Sequence, residues 1–402
     1  MQRTIYLDNH ATTRIDPRVL DAMMPFLQEQ YGNASSRSHE FGLTGAAAVD
    51  VARTRIARLI GAEPREITFT SGATESINLA LKGVAEAAYG RVGKPGRHII
   101  TVATEHPAVL DTCAHLERAG FRVTVLPVDA YGLVSMDEVA QAITDDTILV
   151  SIMWANNEIG TIAPMAELAA LCASRGILFH SDATQAVGKI PVDLGTIPVD
   201  LVSFSAHKMY GPKGIGALYV RKKIPAMPLI AQIDGGGHEQ GLRSGTLNVP
   251  GIVGFGAAAG LCGQEMEKES HLLRELRDHL VSGIRRSVPD VRVNGHPVDR
   301  LPHNASITFP GLPADRLIRE MKGIAVATGA ACSSARPGPS HVLKAIGLTP
   351  SEAAGTLRLG LGRFTTREEI DYTITSVVNA VTALQSNRQW SMNESARVSA
   401  QA

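Results

Sequence analysis

Lys208 sits in Ser203-Phe204-Ser205-Ala206-His207-Lys208, directly after an apolar run that reads as a buried strand, and Asp182 lies 26 residues upstream in His180-Ser181-Asp182-Ala183-Thr184-Gln185. A lysine and an acid placed this way can hold pyridoxal phosphate. The amine forms a Schiff base, and the carboxylate pairs with the protonated pyridine nitrogen that makes the ring an electron sink. The bland readings are a solvated lysine opening the loop His207 to Gly214 and an aspartate that caps a helix. Tyr210-Gly211-Pro212-Lys213-Gly214 reads as a rigid turn that holds Lys208 in place, which favours the cofactor role.

A third reactive group is Cys332, in Thr328-Gly329-Ala330-Ala331-Cys332-Ser333-Ser334-Ala335. Nucleophilic sulfur needs access and thiolate character. Its loop, running on through Arg336, Pro337, Gly338 and Pro339, has the composition of an exposed, movable segment. Cys113, Cys172 and Cys262 sit among helical or apolar neighbours and read as packed thiols. No cysteine pair or Cys/His cluster has zinc-site spacing, so no metal is expected beyond a contact of Cys332 with a cluster during transfer.

Three further positions fit the same chemistry. Ser71-Gly72-Ala73-Thr74-Glu75 joins a strand to a helix, where the backbone N–H groups of Ala73 and Thr74 can meet a phosphate; the alternative is an ordinary helix cap. His106, in Glu105-His106-Pro107-Ala108, offers a ring that stacks on a flat heterocycle and moves protons near neutral pH, unless it simply closes a strand. Arg358, among apolar neighbours in Leu357-Arg358-Leu359-Gly360, suits the α-carboxylate of an amino acid or an internal salt bridge. His10, His39, His238 and His341 read as structural or supporting.

The elements that must position these groups are legible as alternating runs. Strands are expected over Glu66 to Thr70, His98 to Val102, Arg122 to Pro127, Thr147 to Met153, Ile177 to Ser181, Leu201 to Ser205 and Ile215 to Val220, separated by helical stretches. That is an α/β pattern with a mostly parallel seven-stranded sheet. Ligands of such sheets collect past the carboxyl ends of the strands, where His106, Asn157, Asp182, Gln185, Ser205, His207 and Lys208 all fall. A helix from Ile252 to Arg286 leads into a smaller α+β unit, with strands over Asn304 to Phe309, Ile324 to Thr328 and Thr356 to Gly360. Its helices are expected over Asp315 to Met321, Ser340 to Ile346 and Arg367 to Gln385. The expected division is a large domain over 16–260, a small one over 1–15 and 261–386, and a mobile tail over 387–402.

The chain has 402 residues, 44% of them hydrophobic, enough for large buried cores. Its 39 basic and 39 acidic side chains cancel, so neither nucleic acid nor an anionic membrane is an expected partner. There is no signal-peptide core and no membrane-spanning run, and the sparse cysteines suit a reducing compartment, read as cytoplasmic.

Together these residues resemble the cysteine desulfurases, pyridoxal-phosphate enzymes of fold type I. The resemblance rests on Tyr6-Leu7-Asp8-Asn9 with Ala11-Thr12-Thr13, on Ser71 to Ser76, on Asn156-Asn157-Glu158-Ile159-Gly160, on Asp182 to Gln185, on Ser205 to Lys208 and on Arg243-Ser244-Gly245-Thr246. It implies that Lys208 carries the Schiff base, Asp182 holds the pyridine nitrogen and Gln185 contacts the ring hydroxyl. Ala73, Thr74, Ser205 and His207 would bind the phosphate, with Thr246 reaching it from a second subunit, which implies a homodimer. His106 would stack on the ring, and Asn157 and Arg358 would hold the substrate carboxylate. Cys332 would take sulfur from L-cysteine as a persulfide, releasing L-alanine, and pass it to a sulfur acceptor or an iron–sulfur scaffold protein. The length of the loop after Cys332 is similar to that of the group serving general cluster assembly and thiolation. The sequence departs from the family at Ala34, Ile77 and Ala330, and its ending after Leu384 does not match the one through which some relatives dock a scaffold. Selenocysteine lyases share the cofactor steps, and a silent scaffold retaining the fold is the rival outside catalysis.

Overall fold

The alternating runs form a seven-stranded sheet with helices on its faces, seen in a computed structural model that describes residues 4–90, 96–222, 227–328 and 338–400, with side chains through 386. Across the sheet the order is Ile67–Thr70, Gly216–Val220, Leu201–Ser205, Leu178–Asp182, Thr147–Ser151, His98–Val102 and Arg122–Leu126. Gly216–Val220 runs antiparallel to both neighbours and the remaining pairs are parallel. Every residue of His98–Val102 and of Leu201–Ser205 is buried, as expected where helices cover both faces.

Polar residues inside this sheet are paired across strands. The His180 imidazole bridges Ser151 Oγ at 2.8 Å and Ser203 Oγ at 2.9 Å, joining three adjacent strands. His98 does the same between Thr147 and Thr124, both at 2.8 Å. Burial drives the pKa of His180 down to about 3, so it works as a neutral cross-strand connector.

The helix Val249–Ser287 is capped by Asn248, whose side chain accepts the Gly251 N–H. Its first half packs Val249, Ile252, Phe255, Ala259 and Cys262 into the core of the large sheet. The second half packs Leu273, Leu276, Leu280 and Ile284 into another core with Ile307, Leu317, Leu357 and Val377. Over this core lies an antiparallel sheet ordered Ala327–Thr328, Thr356–Gly360, Asn304–Thr308 and Arg292–Val293. Cys113, Cys172 and Cys262 are free and buried, as their neighbours implied.

Two expectations need correction. The run Ile324 to Thr328 is not one strand. Ile324–Ala325 pairs with Ile5–Tyr6, and after Val326 the chain changes partner so that Ala327–Thr328 pairs with Thr356–Gly360. The last helix does not end at Gln385 ahead of a tail without helical structure, because its backbone is helical over Arg367–Ala400. No glycine or proline interrupts that stretch, so backbone propensity carries the helix on where amphipathic periodicity fades.

Gly160 closes the turn after Thr147–Ser151 with φ +77°, and a Cβ there would come within 2.6 Å of the Asn304 side chain. Gly160→Ala combines left-handed strain with overpacking, so a loss of about 1–3 kcal/mol is expected, read as a lower thermal unfolding midpoint.

Candidate active site

Parallel strands place their carboxyl ends on one edge, and the sequence puts its polar residues just past those ends. Residues following Ile67–Thr70, His98–Val102, Thr147–Ser151, Leu178–Asp182 and Leu201–Ser205 converge there on one cavity of about 680 Å³. Gly216–Val220 is antiparallel, so its start lies on the same edge and adds Lys213 and Gly214 to the wall. Of the expected site residues, Ala73, Thr74, His106, Asn157, Asp182, Gln185, Ser205, His207 and Lys208 line this cavity. Cys332 lies outside the described residues.

Lys208 ends a short 3-10 turn, Ala206–Lys208, that leaves the strand Leu201–Ser205. Its ammonium donates to the carbonyl of His10 and, at 2.7 Å, to that of Ala11. The turn itself is pinned by Thr13, whose hydroxyl donates to His207 O at 2.9 Å and accepts the Tyr210 N–H at 2.8 Å. Tyr210 takes φ +65°, unusual for a bulky residue and held here by the surrounding bonds. The rigid turn expected after Lys208 is therefore built largely by the N-terminal segment.

Asp182 is buried, and its Oδ1 accepts the Thr184 N–H at 2.9 Å, so the local turn role and a place on the cavity wall coexist. Glu105 stands behind it and is fully buried, with Oε1 accepting the Met153 N–H at 2.5 Å. Burial, reinforced by the Asp182 carboxylate, raises the Glu105 pKa well above the usual range and keeps that acid neutral.

His106 caps the helix Pro107–Arg118, with Nδ1 accepting the Ala108 N–H at 3.1 Å. Its proton exchange is thereby confined to Nε2. Burial lowers its pKa, which keeps the ring neutral at working pH. The plain alternative to a cofactor role for His106 was a strand end; its structural role is instead a helix cap, for which the proline after it was the available sequence signal.

At the other end of the cavity, Ala73–Tyr89 begins with Gly72 as its cap, and no side chain caps the first N–H groups. These unpaired donors, with Ser205, His207 and Lys213 close by, make an anion cradle. His207 Nδ1 is 3.1 Å from Thr12 Oγ1, and burial followed by the Lys208 charge lowers its pKa to about 4. Glu75, in the same helical turn, is drawn aside into a pair with Arg243 at 2.9 Å. Thr246 is exposed and does not line its own chain's cavity.

Asn157 is held by its neighbours. Asn156 Oδ1 accepts the N–H groups of Glu158 and Ile159, while its Nδ2 donates to Thr104 O. Arg358 is fully buried, pairs with Asp8 Oδ1 at 2.9 Å and donates to Asn157 O at 3.2 Å. The internal salt bridge, one of its two sequence readings, is present, and Arg358 is not on the cavity wall. Thr12, Thr184 and Lys213 also line the cavity and were not expected as site residues, although each lies inside a segment the sequence singled out: Ala11 to Thr13, Asp182 to Gln185 and Tyr210 to Gly214. A half-buried amine donor, a carboxylate and a helix N-terminus around one cavity fit the three functional ends of pyridoxal phosphate: aldehyde, pyridine nitrogen and phosphate.

Residues 5–373 match the aminotransferase class-V family, and the chain belongs to it. Enzymes of this family depend on pyridoxal phosphate, which is the cofactor the site residues fit. Among curated relatives, the cysteine desulfurase IscS of Klebsiella pneumoniae strain 342 is 52% identical over 387 residues, covering 96% of this chain and 94% of the relative. A solved NifS-like protein is 40% identical with a TM-score of 0.87, covering 94% of this chain and 99% of the other. A structure described as SspA in complex with cysteine is 36% identical with a TM-score of 0.78, covering 90% and 100%.

Glu158 supplies a pH test of this region. Its Oε2 accepts the Ser340 hydroxyl at 2.6 Å, and burial raises its pKa to about 7. Above pH 4.5 the unfolded chain has released a proton that the folded chain keeps on Glu158 until about pH 7, so this contribution to stability declines as pH rises through that window. Glu158→Gln is expected to remove a decline on the order of 2–3 kcal/mol, checked by comparing unfolding of both proteins at about pH 5 and about pH 7.5.

Proposed function

We propose that the chain is a cysteine desulfurase that breaks the carbon–sulfur bond of L-cysteine, takes the sulfur onto Cys332 as a persulfide and releases L-alanine. The observation that carries this reading is the convergence of Lys208, Asp182, Gln185, His106 and Asn157 from separate strand ends on one cavity with an anion cradle at its end. The identity to cysteine desulfurases across nearly the whole chain supports the same conclusion.

Bound pyridoxal phosphate supplies an electron sink for the carbon that bears the substrate amino group. Lys208 would hold the cofactor through its amine, and the same amine, when free, would be placed to take the proton from that carbon. Asp182 keeps the pyridine nitrogen protonated, with the neutral Glu105 behind it adding no competing charge. Gln185 would donate to the ring hydroxyl, and His106, whose Nδ1 is occupied by the Ala108 N–H, would stack on the ring with its exchangeable proton on Nε2. Ala73 and Thr74 would bind the phosphate through backbone N–H groups, joined by Ser205 and His207. Asn157 would receive the substrate carboxylate at the cavity wall; Arg358, behind the wall and paired with Asp8, would join it only by exchanging part of that pairing.

The thiolate of Cys332 attacks the substrate sulfur as the carbon–sulfur bond breaks, and the electron pair left on carbon is protonated on the way to alanine. In a homodimer the partner subunit's Thr246 completes the phosphate site, consistent with its exposure in a single chain. The persulfide passes to a sulfur acceptor or iron–sulfur scaffold in a reducing, cytoplasmic setting. No helix among the described residues is long and apolar enough to cross a membrane.

The test is to supply L-cysteine to the loaded enzyme and measure alanine together with persulfide. Equimolar alanine and sulfur are expected, with Cys332→Ser and Lys208→Ala each lowering turnover on the order of 100-fold or more. Persulfide formed by Cys332→Ser at the normal rate would falsify the assignment, and a strong preference for L-selenocysteine would move it to a lyase.

A further inference from the structure

His10 is fully buried between the two cores, and each polar atom of its ring and its carbonyl has a partner. Nε2 is 3.1 Å from Asn304 Nδ2, and Nδ1 is 3.1 Å from Gln185 Oε1. The ring stacks on His303 with centroids 4.5 Å apart. The His10 carbonyl accepts from Gln185 Nε2 at 3.1 Å and also from the Lys208 ammonium.

These contacts determine where the protons are. Asn304 Nδ2 also donates to the Glu158 carbonyl at 3.1 Å, and a carbonyl only accepts, so that atom is the amide nitrogen. His10 Nε2 therefore accepts, and the neutral ring carries its proton on Nδ1. That proton goes to Gln185 Oε1. The opposite end of the same amide is checked independently, because the His10 carbonyl requires a donor and Gln185 Nε2 supplies it. His10 thus grips both ends of Gln185 and leaves one N–H of Nε2 for the cavity that Gln185 lines. Burial, followed by the charge of Arg358, lowers the His10 pKa to about 3, so the ring keeps this single tautomer throughout the working pH range.

We propose that His10 is a positioning residue: it locks the Gln185 amide with its nitrogen toward the cofactor ring oxygen. The proposal rests on the reading of Gln185 given above. A donor fixed at that oxygen stabilises its anionic form, and losing its orientation changes the protonation of the bound cofactor more than it changes the fold.

The experiment is a pH titration of the visible absorbance of the pyridoxal-phosphate-loaded enzyme. Gln185→Ala provides the reference and is expected to move the midpoint by about one pH unit. An unmoved midpoint there overturns the role of Gln185, separately from that of His10. With that reference shifted, His10→Phe, which keeps a ring against His303 without its nitrogens, is expected to move the midpoint in the same direction by roughly half as much or more. His10→Asn, whose amide nitrogen occupies the place of Nδ1, is expected to restore it to within about 0.2 units of the unaltered enzyme. A His10→Phe protein with the unaltered midpoint overturns the proposal, as does His10→Asn behaving like His10→Phe. Should His10→Phe fail to fold, Asn304→Ala removes the donor that selects the tautomer. A shift there supports the proposal and an unaltered midpoint overturns it.

Discussion

Sheet polarity is the constraint on which this molecule depends. Backbone pairing makes Leu201–Ser205, Leu178–Asp182, Thr147–Ser151 and His98–Val102 run the same way, so whatever follows each strand emerges on one edge. Residues as far apart in sequence as His106 and Lys208 then meet on one cavity. Reversing one strand would remove its residues from the cavity, as the antiparallel Gly216–Val220 illustrates: it contributes the residues before it, Lys213 and Gly214, instead of those after it.

Around that edge, burial sorts the ionisable groups into charged and neutral ones. Glu105 is held neutral behind Asp182, and the rings of His10, His106 and His207 are kept neutral by desolvation. Lys208 remains bonded to two backbone carbonyls, which hold its amine at the cavity wall. A site of this kind keeps a few well-placed charges from being screened by surplus ones, which strengthens each electrostatic contact made within it.

The N-terminal segment is the seam between the two cores. Asn9 bonds to Gly360 through backbone and side chain, His10 reaches Asn304, Thr13 holds the turn bearing Lys208, and Asp16 pairs with Arg363 at 2.8 Å. Arg363 also pairs with Glu269, whose other oxygen accepts the Tyr210 hydroxyl. Gly360 is needed at this seam because a Cβ would come within 2.6 Å of the His10 ring. The segment Asn9 to Asp16 thus connects the lysine turn of one core to the strand Thr356–Gly360 of the other.

Much of this was legible beforehand. Runs of five to seven residues marked all seven strands of the large sheet; burial on both faces leaves a continuous hydrophobic signal in the inner strands, and the short motifs after them supplied nearly the whole cavity wall. The partner change at Val326 and the strands Ile5–Tyr6 and Arg292–Val293 were not legible, because two-residue pairings carry no periodicity. The sequence alone determined which chemical groups are present and that they follow strands. Only the tertiary structure decided that His10 orients Gln185, that His106 caps a helix through Nδ1 and that Glu105 is neutral. Each of those depends on distant atoms brought within hydrogen-bonding range and shielded from water, which no local pattern encodes.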